Sequence, residues 1–223
     1  MQEPLRKIQA FSSLLSQHIG NQLDETAEDY LERMNKASAR LSRLINDLLS
    51  YSRLTTRQQR FSPISLMAVV AGVVDTFSLV IEQRKAQLRL DELPIVNGDE
   101  SQLSQLFENL LTNAIKFTPA DQVPQIEIRY NQRQPDELPA DVRITQPAPF
   151  YHQISVIDQG IGFEMKYVDL IFQVFRRLHG KDEFSGTGVG LAICQRVIEN
   201  HGGGITAHSQ PGQGATFCVS LPA

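Results

Sequence analysis

His152-Gln153-Ile154-Ser155-Val156-Ile157 alternates like a strand and runs directly into Asp158-Gln159-Gly160-Ile161-Gly162. A strand that ends on a carboxylate and two glycines delivers a polar group to a sheet edge where backbone comes close. Working outward, Ile126-Glu127-Ile128-Arg129-Tyr130 alternates in the same way, and Ala86–Leu90 is a shorter strand candidate. Strands near Ile205–Ser209 and Ala215–Leu221 flank the turn Pro211-Gly212-Gln213-Gly214. Helical patterns separate them, over Ser65–Arg84, from Gly98-Asp99 to Phe117, and over about Val189–Asn200. In the second of these Asp99 reads as the cap and Gln102 as its capping-box partner, and Thr118-Pro119 stops the helix. Gln132–Pro149 holds four prolines and reads as an elongated surface loop. The expected class is α+β, an α/β sandwich with a mixed sheet and helices on one face.

The first 55 residues hold no strand-like alternation. Leu31, Met34, Ser38, Leu41, Ile45, Leu48 and Ser52 recur at spacings of three and four, and Leu5, Ile8, Ser12, Leu15 and Ile19 do the same upstream. These are the seams of two helices, with Gly20-Asn21 as the stop and Asp24 or Thr26 as the restart cap. Two helices have no interior able to bury both stripes, so a second copy completing a four-helix bundle is the expectation, against packing on the rest of the same chain. Residues 1–60 carry net charge +2 and the remainder −6, and Thr55–Pro63 reads as a linker. The expected division is therefore 1–60, a helical hairpin for dimerisation, and 61–223, an α/β unit.

Composition excludes several classes. With 223 residues, 41% hydrophobic, 21% charged and a net charge of −4, the chain has an ordinary soluble composition and no basic stripe for nucleic acid. The most apolar stretch, Leu66–Val74, meets Asp75 and falls far short of the roughly 20 residues of a membrane span. Cys194 and Cys218 form no C-x-x-C pair and read as buried thiols of a reducing compartment, so a cytoplasmic location without membrane contact is expected.

Four pieces carry chemistry. Asn109, Asn113 and Lys116 share one helix face, while Leu110, Leu111 and Ala114 face elsewhere. Amide oxygens coordinate Mg²⁺ and an ammonium neutralises phosphate oxygens, although the same stripe taken alone is equally a solvated polar face. Asp158, with Gly160 and Gly162, suits an exocyclic amine such as that of adenine, with backbone close to the ring. Gly186-Thr187-Gly188-Val189-Gly190-Leu191 runs into a helix, whose first amides and dipole favour phosphate. It has neither the strand context of a dinucleotide fingerprint nor the G-K-[ST] ending of a P-loop. Finally, Phe172 and Phe175 read alone as core residues, and Arg177 beside them is placed to stabilise charge during phosphoryl transfer.

In this order, the asparagine helix, D-x-G-x-G, F-x-x-F-x-R and G-T-G-x-G-L resemble the catalytic and ATP-binding domain of sensor histidine kinases, within the ATPase superfamily of gyrase and mismatch-repair proteins. Gln2-Glu3-Pro4-Leu5-Arg6 resembles the tail of the phosphoacceptor box, and the hairpin the dimerisation and phosphotransfer domain. The wording is similar to that of phytochrome-like and PAS-linked kinases. The resemblance implies ATP and Mg²⁺ as cofactors, a response-regulator receiver domain as partner and an upstream sensor domain. It implies Asn109, Asn113 and Lys116 as metal and phosphate residues, with Asn113 the direct metal ligand. Asp158 becomes the adenine anchor, flanked by Gly160 and Gly162. Val174–Ser185, including Phe175, Arg177 and Leu178, becomes the lid, with Arg177 and Lys116 acting in catalysis. Gly186, Thr187, Gly188, Val189, Gly190 and Leu191 become the phosphate-side loop, and Thr216 lines the adenine pocket.

In the family box the acceptor histidine stands five residues before the proline, which counts to two positions upstream of Met1. The expectation is a fragment cut after its acceptor, with His18, His152, His179, His201 and His208 structural or exposed. Glu3 stands where phosphatase-competent relatives carry Thr or Asn. Hydrolysing relatives carry a glutamate at the position of Asn109, so transfer is favoured over hydrolysis. Glu108 is adjacent, but about 100° around the helix. An ATP-hydrolysing clamp and an inactive nucleotide-binding or dimerising module remain the alternatives.

Overall fold

The computed structural model describes residues 2–19, 24–56, 61–178, 184 and 186–223. The chain opens with the hairpin α1 (Gln2–Ile19) and α2 (Glu25–Thr56). Asp24 caps α2 by accepting the Ala27 N–H at 2.7 Å. The expected stop at Gly20-Asn21 and part of the expected linker, residues 57–60, lie outside the described residues. Leu5 and Ser12 of α1 are buried against Leu31 and Ser38 of α2, and the Ser38 hydroxyl donates to the Leu5 carbonyl at 3.3 Å. The seams are otherwise open: Ile8, Leu15, Met34, Leu41 and Leu48 are each at least 44% exposed.

The second unit is built from β1 (Ser62–Ser65), α3 (Leu66–Thr76), α4 (Ser78–Arg84), β2 (Gln87–Leu90), β3 (Ile95–Gly98), α5 (Glu100–Lys116), β4 (Gln125–Arg133), β5 (Tyr151–Asp158), α6 (Val168–Ile171), α7 (Gly190–Asn200), β6 (Gly204–Ser209) and β7 (Ala215–Pro222). Five strands form a mixed sheet in the order β2-β4-β5-β7-β6, with only β2 and β4 parallel. Helices α3, α5 and α7 bury their apolar stripes on one face, where Phe107, Leu103 and Leu106 of α5 meet Ile128, Ile154 and Val156 of the strands. The expected class and mixed sheet are observed.

Several local expectations give way. The single helix over Ser65–Arg84 is two helices bent by 65° at Phe77. Ser62–Ser65 is a strand paired antiparallel with Ile95–Gly98, a ladder too short to leave a periodic trace; Pro63 is tolerated because the ladder has only two strands. Asp99 accepts the Gln102 N–H at 3.1 Å, but its own N–H goes to His201 Nε2 at 3.0 Å, so the capping box is half formed. The proline-rich loop is more than surface decoration. It crosses the sheet face opposite the helices, where Asp141 accepts from the Thr206 hydroxyl and Ala148 N–H donates to the Tyr151 hydroxyl at 2.9 Å. Tyr151, Gln153 and Ser220 on that face are consequently buried.

The two units touch. Leu54 of α2 joins the main core, and Asn200 Nδ2 donates to its carbonyl at 2.9 Å. The hairpin thus packs on its own chain through one end while its seams stay open. Among the described residues no single helix is long and apolar enough to cross a membrane.

Candidate nucleotide site

A cavity of about 300 Å³ opens between the carboxyl end of β5, the inner face of α5 and the start of α7. Asp158 closes one end. Its Oδ1 accepts the N–H of Gly160 at 2.9 Å and of Ala215 at 3.3 Å, leaving Oδ2 without either bond. Burial pushes this carboxyl above its usual range despite the two amide donors. Ala215 and Phe217 of β7 line the cavity beside it, because they share the inward parity of Val219 and Leu221.

Helix α5 supplies the polar wall. Asn109 Nδ2 donates to the Gln105 carbonyl at 2.8 Å, which turns its Oδ1 toward Gly190. A Cβ on Gly190 would stand 2.8 Å from that oxygen, so a glycine lets the start of α7 approach α5. One turn on, Asn113 Oδ1 accepts from Lys116 Nζ at 3.4 Å. The same ammonium lies 4.1 Å from the centroid of the Phe117 ring. Burial and the Arg177 guanidinium lower Lys116 to about 8. Two cations therefore converge where an anion would be held.

The third wall is the loop into α7. Gly188 takes φ +76° with a Cβ position 2.7 Å from the Arg176 carbonyl, so no other residue fits without strain. The first turn of α7 has no side-chain cap, so its amides and the positive end of its dipole lie at the cavity edge. Arg177 lines the cavity, and its guanidinium donates to the carbonyls of Phe184 at 2.5 Å and Gly186 at 3.1 Å. Its fork braces the lid as well as facing the cavity.

The cavity thus brings together Asn109, Asn113, Lys116, Asp158, Gly162, Arg177, Leu178, Gly186, Thr187, Gly188, Gly190 and Leu191. Four expected residues are not in its lining. Thr216 has the opposite strand parity, paired with Ile157 and His208. Val189 is fully buried in the core below the loop. Gly160 packs against the Phe117 carbonyl, 2.7 Å from where its Cβ would stand. Phe175 is 55% exposed at φ +66°, its N–H bonded to the Gly188 carbonyl at 2.9 Å, and so is not the core residue its spacing from Phe172 implied. Lid positions 179–183 and 185, His179 among them, lie outside the described residues.

Asp47, Phe117 and Phe184 line the cavity without having been singled out. Phe117 follows Lys116 directly and meets the Phe184 ring in a tilted contact, 5.2 Å between centroids at an interplanar angle of 53°. Asp47 reaches in from α2 and accepts the Thr187 hydroxyl at 2.5 Å. The described residues contain no cluster of three or more His, Cys, Asp or Glu side chains able to hold a metal ion. A cation here would rely on the amide oxygens of Asn109 and Asn113 and on ligand oxygens, which suits Mg²⁺.

A mixed sheet backed by helices, with an amide-bearing helix, a strand-end carboxylate and a glycine loop meeting in one cavity, defines a nucleotide-site domain joined to a helical hairpin. The chain belongs to the histidine kinase-, DNA gyrase B- and HSP90-like ATPase family, whose family model matches residues 98–223, and the His Kinase A (phospho-acceptor) domain matches residues 1–57, an order that makes it a histidine kinase core. It is 34% identical over 222 residues to the phytochrome-like protein Cph1 of Synechocystis, covering 100% of this chain and 28% of that protein. Identity to cyanobacterial phytochrome A of Nostoc is 35% over 222 residues, again 100% of this chain and 27% of that protein. The chain therefore spans less than a third of either phytochrome. Among solved structures, full-length ShkA in complex with AMPPNP superposes with a TM-score of 0.69 at 22% identity, over 99% of this chain and 43% of that one. Histidine kinase ThkA in complex with the response regulator TrrA superposes with a TM-score of 0.65 at 21% identity, over 99% and 59%. These two share the fold.

Proposed function

We propose that the chain binds Mg·ATP in this cavity and transfers the γ-phosphoryl group to a histidine, from which it passes to a response-regulator aspartate. The observation that carries the reading is convergence. Asp158 at one end suits an adenine amine, and Lys116, Arg177 and the uncapped start of α7 at the other suit phosphates. In the transfer the bond from Pγ to the bridging oxygen breaks, a bond from an imidazole nitrogen to Pγ forms, and ADP leaves. Lys116 and Arg177 would offset charge on the phosphoryl oxygens, and the Asn113 amide oxygen would hold the metal. Mg²⁺, when bound, would supply positive charge to offset that of the phosphate chain. Asn109 has no carboxylate with which to activate water, which favours transfer over a hydrolysing clamp. Phytochrome-like relatives and a ThkA–TrrA complex support a sensor input and a receiver partner, and the open seams of α1 and α2 support a homodimer.

The test supplies γ-labelled ATP together with a hairpin polypeptide that carries a histidine within a phosphoacceptor box. The expected outcome is acid-labile label on the polypeptide, lost when Asn113→Ala replaces the wild-type chain. Rapid phosphate release without label would favour the hydrolysing clamp. Absence of nucleotide binding would leave a dimerising module.

A further inference from the structure

Asp47, Tyr51 and Leu54 recur at spacings of four and three, so they form one stripe of α2. That stripe is turned by roughly 100–140° from the Leu41, Leu48 and Ser52 seam. All three residues meet the second unit: Leu54 and Tyr51 pack in and against its core, and Asp47 Oδ2 takes the Thr187 hydroxyl at 2.5 Å. Among the described residues, the cavity lining carries two carboxylates. Asp158 is at the sheet end, held by the backbone on either side of it, whereas Asp47 is at the glycine-loop end and belongs to the other unit.

A threonine hydroxyl has one proton to donate. In this structure that proton goes to Asp47, and a phosphate oxygen seated on Gly186–Gly188 would need the same proton. It would also meet a second anion at hydrogen-bonding distance from the same atom. Among the described residues, Lys116, Arg176 and Arg177 are the cations lining the cavity, and either anion draws on their field.

We propose that Asp47 sets the affinity of the site by competing with nucleotide phosphate for the Thr187 hydroxyl and its positive surroundings, so that phosphate binding and docking of the Asp47–Tyr51–Leu54 stripe oppose each other. The proposal rests on the nucleotide reading of the cavity. Linkage makes the effect reciprocal: the factor by which docked α2 weakens ATP is the factor by which ATP loosens α2. The opposition grows with phosphate charge and disappears for a ligand that stops at the ribose.

Asp47→Asn isolates the effect, because the amide oxygen still accepts from Thr187 while the charge is gone. Calorimetry on the full chain with Mg²⁺ should show ATP binding to the variant about tenfold more tightly than to wild type. The gain should be smaller for ADP and absent for adenosine. In the wild-type chain, saturating ATP should also speed hydrogen exchange at the amides of Tyr51–Leu54. Unchanged or weaker ATP affinity in the variant would overturn the proposal, since Asp47 would then be neutral or would help to hold the metal–phosphate group. An equal gain for adenosine would overturn it too. If the wild-type chain binds ATP and only the Asp47 effect is missing, the nucleotide site stands and the competition falls. If wild type binds no adenine nucleotide, both fall.

Discussion

At one end of the cavity, Asp158, Ala215 and Phe217 project from β5 and β7, paired in register over eight residue pairs, and each is at most 8% exposed. At the other end, Asn113, Lys116, Arg177 and Thr187 are half-buried and come from a helix terminus, the lid and a glycine loop, with Asp47 arriving from the hairpin. The first end is continuous with the hydrophobic core; the second is a meeting point of separate segments. A flat heterocycle needs shape and one fixed acceptor, which paired strands hold well. A phosphate chain needs several positive groups, which elements of different origin can supply. Substitutions at the sheet end should therefore alter stability together with binding, and those at the loop end should alter binding and its dependence on charge.

The largest effect is expected for Phe217→Ala, which removes a core aromatic and should cost about 3–5 kcal/mol in urea unfolding. Lys116→Ala should shift the same unfolding free energy by about 1 kcal/mol or less. Comparable losses in the two variants would erase the distinction between the ends.

Next in size are two affinity effects of different character. Asp158→Asn should weaken ATP, ADP and adenosine alike by about 1–3 kcal/mol, the range for a hydrogen bond to a charged group. Lys116→Ala should weaken ATP most, ADP less and adenosine not at all. Calorimetric titration of the three ligands separates the patterns, and a phosphate-dependent loss for Asp158→Asn would assign it to the wrong end.

The smallest effect is a proton. Burial and the Arg177 guanidinium disfavour the charged form of Lys116 and lower its pKa to about 8. A phosphate chain favours that form and raises the value, so binding at pH 8 takes up a fraction of a proton and affinity falls as pH rises through 8. The calorimetric heat should then vary with the ionisation enthalpy of the buffer, and Lys116→Ala should remove most of that variation. Heat independent of buffer in wild type would place Lys116 away from the anion.

The sheet end was the more legible in the sequence, and for the same reason. Alternation marks β4, β5 and β7 directly, and Asp158 follows from the end of one of them. Even the misplaced Thr216 had its correction in view: Phe217, Val219 and Leu221 set the inward parity, and Ala215 is in phase with them. The capped helix α5 was equally plain, from Asp99 and the spacing of its leucines. The short ladder of β1 and β3 has four residues a side, too few for a period, and the bend at Phe77 has no proline to announce it. Burial of the far sheet face by the proline-rich loop depends on contacts far apart in sequence, such as Asp141 with Thr206. Asp47 was illegible for a related reason. Its stripe with Tyr51 and Leu54 acquires meaning only once the partner surface is known, 140 residues away at Thr187.

Nucleotide binding in the cavity is tested most directly by the unfolding midpoint of the chain with and without Mg·ATP at about 100 times its dissociation constant. A ligand that binds only the native chain adds about 2.7 kcal/mol there. For a chain of this size that raises the midpoint by roughly 5–10 °C. A rise in that range, reduced when Asp158→Asn is tested at the same ATP concentration, is the predicted result; an unchanged midpoint at millimolar Mg·ATP would contradict it.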